Sequence, residues 1–248
     1  MPKFFVKSEQ VKNNKIYIIK DDVNHIKNVL RAQIGEKIEI CNSDTSENFL
    51  CQIEKIEKEK IECNILEKIK NNVESNIHVT IFQGLPKSDK MEYIIQKTVE
   101  LGVYDITPVE MKRCVVKLNE KDKIKKQQRW QRISEVAAKQ SGRDIIPKIN
   151  ETVDIKEIAN KVNDYDLFLV AYEKEENNLL KDELKKISTS KDNIKIALLI
   201  GPEGGLEDDD VKLLSINGAK VITLGKRILR TETVALNVIS IIMYELEK

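Results

Sequence analysis

The chain has 248 residues, of which 41% are hydrophobic and 33% charged, and its formal net charge is +1. This is the profile of a globular chain long enough for one large or two smaller cored domains. It contains no run of 18 apolar residues that would span a membrane, and Met1-Pro2-Lys3-Phe4-Phe5-Val6-Lys7 lacks the apolar stretch of a secretory leader, so a cytoplasmic location with no membrane partner is expected.

Residues 1 to about 72 alternate apolar and polar side chains over 15–19, 37–41, 49–56 and 60–66, which predicts short strands. One short helix near Val23 to Leu30 interrupts them, and a small β-barrel is the natural architecture. The polar stretch 70–76 reads as a linker. Cys41, Cys51, Cys63 and Cys114 form no CxxC pair, and the two histidines, His25 and His78, are far apart. Buried, reduced thiols and no metal site are expected.

From Ile77 the rhythm changes to strand–helix alternation. The pattern predicts a strand at 77–82, then a helix capped by Ser88, with Met91, Ile94, Ile95, Thr98, Val99 and Leu101 on its apolar face and Gly102 at its end. A strand follows at 104–109, and a long basic helix at 121–140 with Trp130, Ile133, Val136 and Ala137 facing inward. Strands at 166–171, 194–200 and 221–224 alternate with helices at 178–187, 207–216 and 232–246. Four acids, Glu207 to Asp210, sit where a helix dipole favours them. Such alternation implies a mostly parallel sheet covered by helices.

The small net charge hides an asymmetry. Residues 110–143 carry 11 Lys/Arg against 4 Asp/Glu, which fits either a polyanion contact or a solvated helix face. Only seven of the 42 basic residues are Arg, so the Arg positions are candidates for work that needs a planar fork.

Two turns carry the chemistry. Ile200-Gly201-Pro202-Glu203-Gly204-Gly205-Leu206 and Leu224-Gly225-Lys226-Arg227-Ile228-Leu229-Arg230-Thr231-Glu232-Thr233 each follow a strand and precede a helix, the place where an open α/β sheet binds ligands. Neither is a dinucleotide or P-loop fingerprint. Thr231 or Thr233 would serve as a helix cap and Glu232 as a first-turn acid. Arg227 and Arg230 sit where the dipole opposes cations, so an anionic or anion-developing substrate is the simplest reason for them.

Together with Gln96-Lys97-Thr98-Val99-Glu100-Leu101-Gly102 and Gln140-Ser141-Gly142-Arg143, these runs resemble the RsmE family over nearly the whole chain. These are S-adenosylmethionine-dependent methyltransferases of the SPOUT class that act on N3 of a uridine in 16S ribosomal RNA. The resemblance implies an α/β fold, a SPOUT-type sheet with a C-terminal trefoil knot, over residues 73–248. It also implies an N-terminal PUA-like, RNA-binding β-barrel domain over residues 1–72, and a homodimer that works on 16S rRNA or the small ribosomal subunit. By matching motifs, Gly201, Leu224 and Leu229, with Ile200, Gly225 and Ile228 beside them and Thr233 following, would hold the cofactor. Arg230 would stabilise charge on the uridine, with Glu232 orienting it or taking the proton. Glu203 is a second candidate base or an anchor of its own turn. The segment His25-Ile26-Lys27-Asn28-Val29-Leu30-Arg31 matches a family motif, which makes Arg31 an RNA contact. Arg113, Gln140 and Arg143, with Lys117, Arg129 and Arg132, are the basic-segment candidates. Two departures stand out: Lys3 replaces the family's frequent Arg near the start, and Lys226 replaces a frequent proline.

Overall fold

Six strands build the N-terminal part of the computed structural model, which describes residues 3–70, 73–188 and 191–247. They are β1 (Lys3–Val6), β2 (Val11–Lys12), β3 (Lys15–Ile19), β4 (Lys37–Asn42), β5 (Glu47–Ile56) and β6 (Lys60–Ile69), arranged β1-β4-β5-β6-β3-β2. β1 runs parallel to β4, and the other pairs are antiparallel. The period-2 pattern sends Ile16, Ile18, Ile38, Ile40, Cys51, Ile53, Ile61 and Cys63 into one core with Phe4, Val23 and Ile26. Register shifts at Leu50/Cys51 and Ile53/Lys55 mark irregularities of the bulge type, which bend a sheet around such a core. The expected short helix is α1 (Asp21–Asn24), continued as a wider helical turn over His25–Val29.

All four cysteines are buried. Burial pushes the thiols of Cys51 and Cys63 up to about 12 and that of Cys41 up to about 11, so none is a thiolate nucleophile at neutral pH.

The predicted linker needs correction at Glu74; Asn71 and Asn72 within it lie outside the described residues. Glu74 accepts hydrogen bonds from Arg143 Nη2 (2.6 Å) and from the N–H groups of Asp144 (2.7 Å) and Ile145 (3.2 Å). Lys3 forms a buried ion pair with Asp144, and Cys41 Sγ donates to the Asp144 carbonyl at 3.1 Å. These contacts bring Ala138–Ile146 into one compact unit with Met1–Glu74, while Ser75–Ala137 and Pro147–Lys248 form the other.

The second unit follows strand–helix order: β7 (Ile77–Gly84), α2 (Lys90–Glu100), β8 (Asp105–Glu110), α3 (Glu120–Gln140), β9 (Lys148–Ile149), β10 (Val153–Asp154), α4 (Ile155–Ala159), β11 (Leu167–Ala171), α5 (Leu180–Leu184), β12 (Ile194–Ile200), α6 (Asp208–Ile216), β13 (Lys220–Ile222) and α7 (Thr231–Leu246). Its sheet runs β10-β8-β7-β12-β11-β13, with β9 also beside β8, and every recorded pair is parallel. β7 and β12 lie at its centre and are buried along nearly their whole length, as a strand covered on both faces must be.

Four local expectations fail for identifiable reasons. Ser88 has a φ of +54° and does not cap α2, which starts at Lys90 without a side-chain cap. Val136 is exposed; Ser134 holds a place on the inward face of α3 instead, its hydroxyl donating to the Pro147 carbonyl at 2.6 Å. α5 is five residues long because Asn178, expected in its first turn, is bonded to β13: its Nδ2 donates to the Val221 carbonyl at 2.8 Å. Neither Thr231 nor Thr233 caps α7, whose N-cap position is Arg230.

Candidate active site

The C-terminal ends of the adjacent strands β12, β11 and β13 open into three loops, and these loops enclose a cleft of about 1170 Å³. The loop after β12 contributes Gly201 to Leu206, the loop after β11 contributes Tyr172, Glu173 and Glu175 to Asn177, and the segment after β13 contributes Thr223 to Thr231. Lys90, Ala171, Leu179, Ile200 and Val234 complete the lining. The walls are apolar side chains (Leu179, Ile200, Leu206, Leu224, Leu229) and glycine-rich backbone, with Lys226, Arg227 and Arg230 along one stretch and Glu173, Glu175 and Glu176 along another. A cleft of this size and composition suits a nucleoside-like ligand with a charged tail.

Its shape depends on glycine at two close approaches. A Cβ at Gly84, the last residue of β7, would lie 2.7 Å from both Cδ and the backbone N of Pro202. Gly205 has a φ of +73° and closes the first turn by donating to the Pro202 carbonyl at 2.9 Å. A buried relay then ties the start of α7 to this turn. Gln83 Nε2 donates to Thr231 Oγ1 (2.8 Å), and Thr231 Oγ1 donates to the Gly201 carbonyl (2.8 Å).

Of the residues expected to hold a ligand, Ile200, Gly201, Leu224, Gly225, Ile228 and Leu229 all line the cleft, as does Arg230. Ile228 is 86% exposed, an apolar side chain offered to the cleft without cover. Thr233 is exposed and outside the lining, because Thr231 and Val234, three apart on the helix, take the face toward the cleft. Glu232 is also outside the lining. Its buried Oε2 lies 3.1 Å from Lys90 Nζ, within ion-pair reach of that ammonium. Arg230 makes no ion pair among the described residues, so Glu232 does not orient it here.

Glu203 belongs to its turn. It accepts the Lys87 N–H at 3.2 Å and pairs with Lys90 at 3.1 Å. Burial pushes its carboxyl upward, but its own N–H, the Lys90 ammonium and the Lys87 N–H outweigh that and hold it below the usual carboxylate range. This disfavours Glu203 as a proton acceptor.

The basic candidates separate. Arg31 is exposed with a φ of +53°, and Gln140 is exposed at the end of α3. Arg113 is bonded to Glu207 (2.8 Å) and to the Gly204 carbonyl (3.2 Å), so it braces the first turn. Arg143 is 7% exposed and paired with Glu74, so its guanidinium lies in the interior of its unit. Arg129 pairs with Glu92, and Lys117 with Glu110. Sequence reasoning missed Gln83, Gly84, Lys90 and the acidic loop after β11. Gly84 at a strand end was the one visible signal among them.

A parallel α/β sheet holding a backbone-lined cleft at the ends of neighbouring strands, preceded by a small β unit, defines a ligand-binding enzyme of the open-sheet class with an accessory module. Residues 73–243 match the family described as RNA methyltransferase domain, and residues 18–66 the one described as RNA methyltransferase PUA domain. The chain is similar to Ribosomal RNA small subunit methyltransferase E of Bacillus subtilis (strain 168), with 34% identity over 100% of this chain and 98% of that one. It is also 34% identical to the protein of the same name from Mesomycoplasma hyopneumoniae (strain 232), over 95% and 96% of the two chains. A crystal structure of a Ribosomal RNA small subunit methyltransferase E from Neisseria gonorrhoeae, bound to S-adenosyl methionine, matches with a TM-score of 0.87 and 29% identity over 100% of this chain and 98% of that one. The chain belongs to the ribosomal RNA small subunit methyltransferase E family.

Proposed function

We propose that this chain transfers a methyl group from S-adenosylmethionine to N3 of a uridine in the 16S rRNA of the small ribosomal subunit, as a cytoplasmic homodimer. The observation that carries the reading is the cleft itself: the Gly201–Leu206 turn and the Leu224–Leu229 turn meet there, with the guanidinium of Arg230, which has no ion pair among the described residues, on its wall. The residues fit the cofactor. A Cβ at Gly201 would lie 3.1 Å from the Gly205 carbonyl carbon, so glycine there lets the first turn close tightly at the edge of the cleft, and Leu224, Leu229 and Ile200 offer an apolar slot for an adenine. Glu173 and Glu176 stand where an ammonium-bearing tail would find opposite charge.

The cofactor supplies an activated methyl group on a sulfonium, so the chain needs neither a metal nor a covalent nucleophile. Its residues must align the base with that methyl and exclude water. As the N3 proton leaves, negative charge spreads onto the flanking carbonyl oxygens of the uracil. Arg230 stabilises that charge in a partly desolvated cleft. Glu232, two residues beyond Arg230 in the first turn of α7, is the carboxylate that the reading places beside the reacting edge, with the Lys90 ammonium 3.1 Å away.

Residues 73–248 form the methyltransferase domain in this reading and 1–72 the PUA-like RNA-binding domain, with Arg31 and Gln140 as RNA contacts. The trefoil threading of the C-terminal segments belongs to the same proposal, and the Gln83–Thr231–Gly201 relay, which returns the start of α7 to two earlier strand ends, supports it. Mass spectrometry of nuclease-digested 16S rRNA from a deletion strain tests the function. Loss of N3-methyluridine, regained when purified protein and S-adenosylmethionine are added to small subunits, is expected. An intact N3-methyluridine with loss of a different modified nucleoside would overturn it.

A further inference from the structure

We propose that Lys90 is a positioning residue for this reaction: its one ammonium ties the first glycine turn to the last helix, through Glu203 and Glu232, and so holds the cleft in its cofactor-binding shape. The inference rests on the methyltransferase reading above. Lys90 Nζ lies 3.1 Å from Glu203 Oε1 and 3.1 Å from Glu232 Oε2. Glu203 sits in the turn after β12, Glu232 in the first turn of α7, and Lys90 is the first residue of α2. Three elements remote in sequence therefore meet at one cation, and α2 packs against α7 beside it.

The placement is unfavourable without those partners. A cation at a helix N-terminus is opposed by the dipole. Two carboxylates within ion-pair reach reverse the sign. The three side chains are 29%, 25% and 18% exposed, so water and salt screen the cluster less than a surface bridge. Without the ammonium, two carboxylates would face each other across the gap between the turn and α7, and their repulsion would part the two walls. Lys90 and Glu203 both border the cleft, so a parting there widens the ligand site directly.

Calorimetric titration of S-adenosylmethionine into the wild-type full-length protein comes first. Absence of binding there would remove the functional reading itself, independently of Lys90. Lys90→Met is expected to bind the cofactor about tenfold more weakly, with KM for the cofactor rising more than kcat falls, since one charge-assisted anchor is lost. Lys90→Arg should restore affinity to within about twofold, and Lys90→Met/Glu203→Gln, which removes one of the opposed charges, should regain about half of the loss on a logarithmic scale. A lysine that merely stabilised the fold would lower the melting temperature and leave the affinity and the KM–kcat split unchanged; that outcome overturns the proposal. So does a double variant no better than Lys90→Met. If the Lys90→Met chain does not fold, Glu203→Gln carries the test: about threefold weaker binding is expected from one lost partner, and unchanged affinity overturns the role.

Discussion

Arg230 occupies the N-cap position of α7 and is exposed on the cleft wall, without an ion pair among the described residues. The dipole of α7 works against it, and no ion pair among the described residues offsets that, which suits the role proposed for it against a developing anion. Arg230→Ala should therefore leave S-adenosylmethionine affinity within about threefold while lowering kcat by about 10²–10³, the range for removing one donor to a developing oxyanion. Near-normal turnover in single-turnover assays would exclude the role. Thr231, one residue on, works differently. Its hydroxyl gives and takes hydrogen bonds in the buried Gln83–Thr231–Gly201 relay. Thr231→Val keeps the shape and removes both bonds, leaving buried polar partners unsatisfied at a cost of about 1–3 kcal/mol. Thr231→Ser should behave like the wild type in denaturant unfolding, and equal loss in both variants would show that the methyl group, not the hydroxyl, matters. Sequence pattern placed Thr231 beside a helix start but could not separate a cap from a tertiary bond. Both need a hydroxyl at that place, and the acceptor, Gly201, lies 30 positions away.

Strands and long helices were legible because burial imposes a period on them. Met91, Ile94, Ile95, Thr98 and Val99 all turn inward on α2 as their spacing required. The short elements were not, since two residues of β9 or β10 and five of α4 are too few for a period to show. A capping box, Asp154 with Glu157, does mark the start of α4, and its reciprocal bonds are formed at 2.9 and 3.1 Å. At the site, glycine turns were legible as turns, but the partner against which each one packs was not. Gly84 shows the consequence. It ends β7 against Pro202, and a Cβ there meets backbone, which has little room to yield. Gly84→Ala should push the first turn away from the sheet, cost about 1–3 kcal/mol of stability and abolish measurable cofactor binding, by thermal melting and calorimetry respectively. Retained affinity would mean that the turn moves without disturbing the ligand.

Over the whole chain, the charge asymmetry looked like a polyanion track because a local count cannot see counterions that arrive from elsewhere in the sequence. Arg113 takes Glu207, Arg129 takes Glu92, Lys139 takes Asp22 and Arg143 takes Glu74. Much of the basic segment is thus structural. The last of these pairs also explains why residues 138–146 group with the N-terminal unit. Burial pushes the Glu74 carboxyl upward, but Arg143 and the N–H groups of Asp144 and Ile145 outweigh that and hold it below its ordinary value of 4.5. A carboxyl lowered in the folded state adds stability that is fully present above the unfolded value and is lost as pH falls through the folded one. The protection of the Asp144 and Ile145 amides against hydrogen exchange should therefore be flat from neutral pH down to about 4.5 and decline below it. Glu74→Gln removes the charge facing a buried guanidinium. It should cost this segment about 2–4 kcal/mol at neutral pH and abolish the acid-dependent decline. A Glu74→Gln chain with the wild-type acid profile would show that another carboxyl sets it, and Asp144, paired with Lys3 beside the same loop, is the group to substitute next.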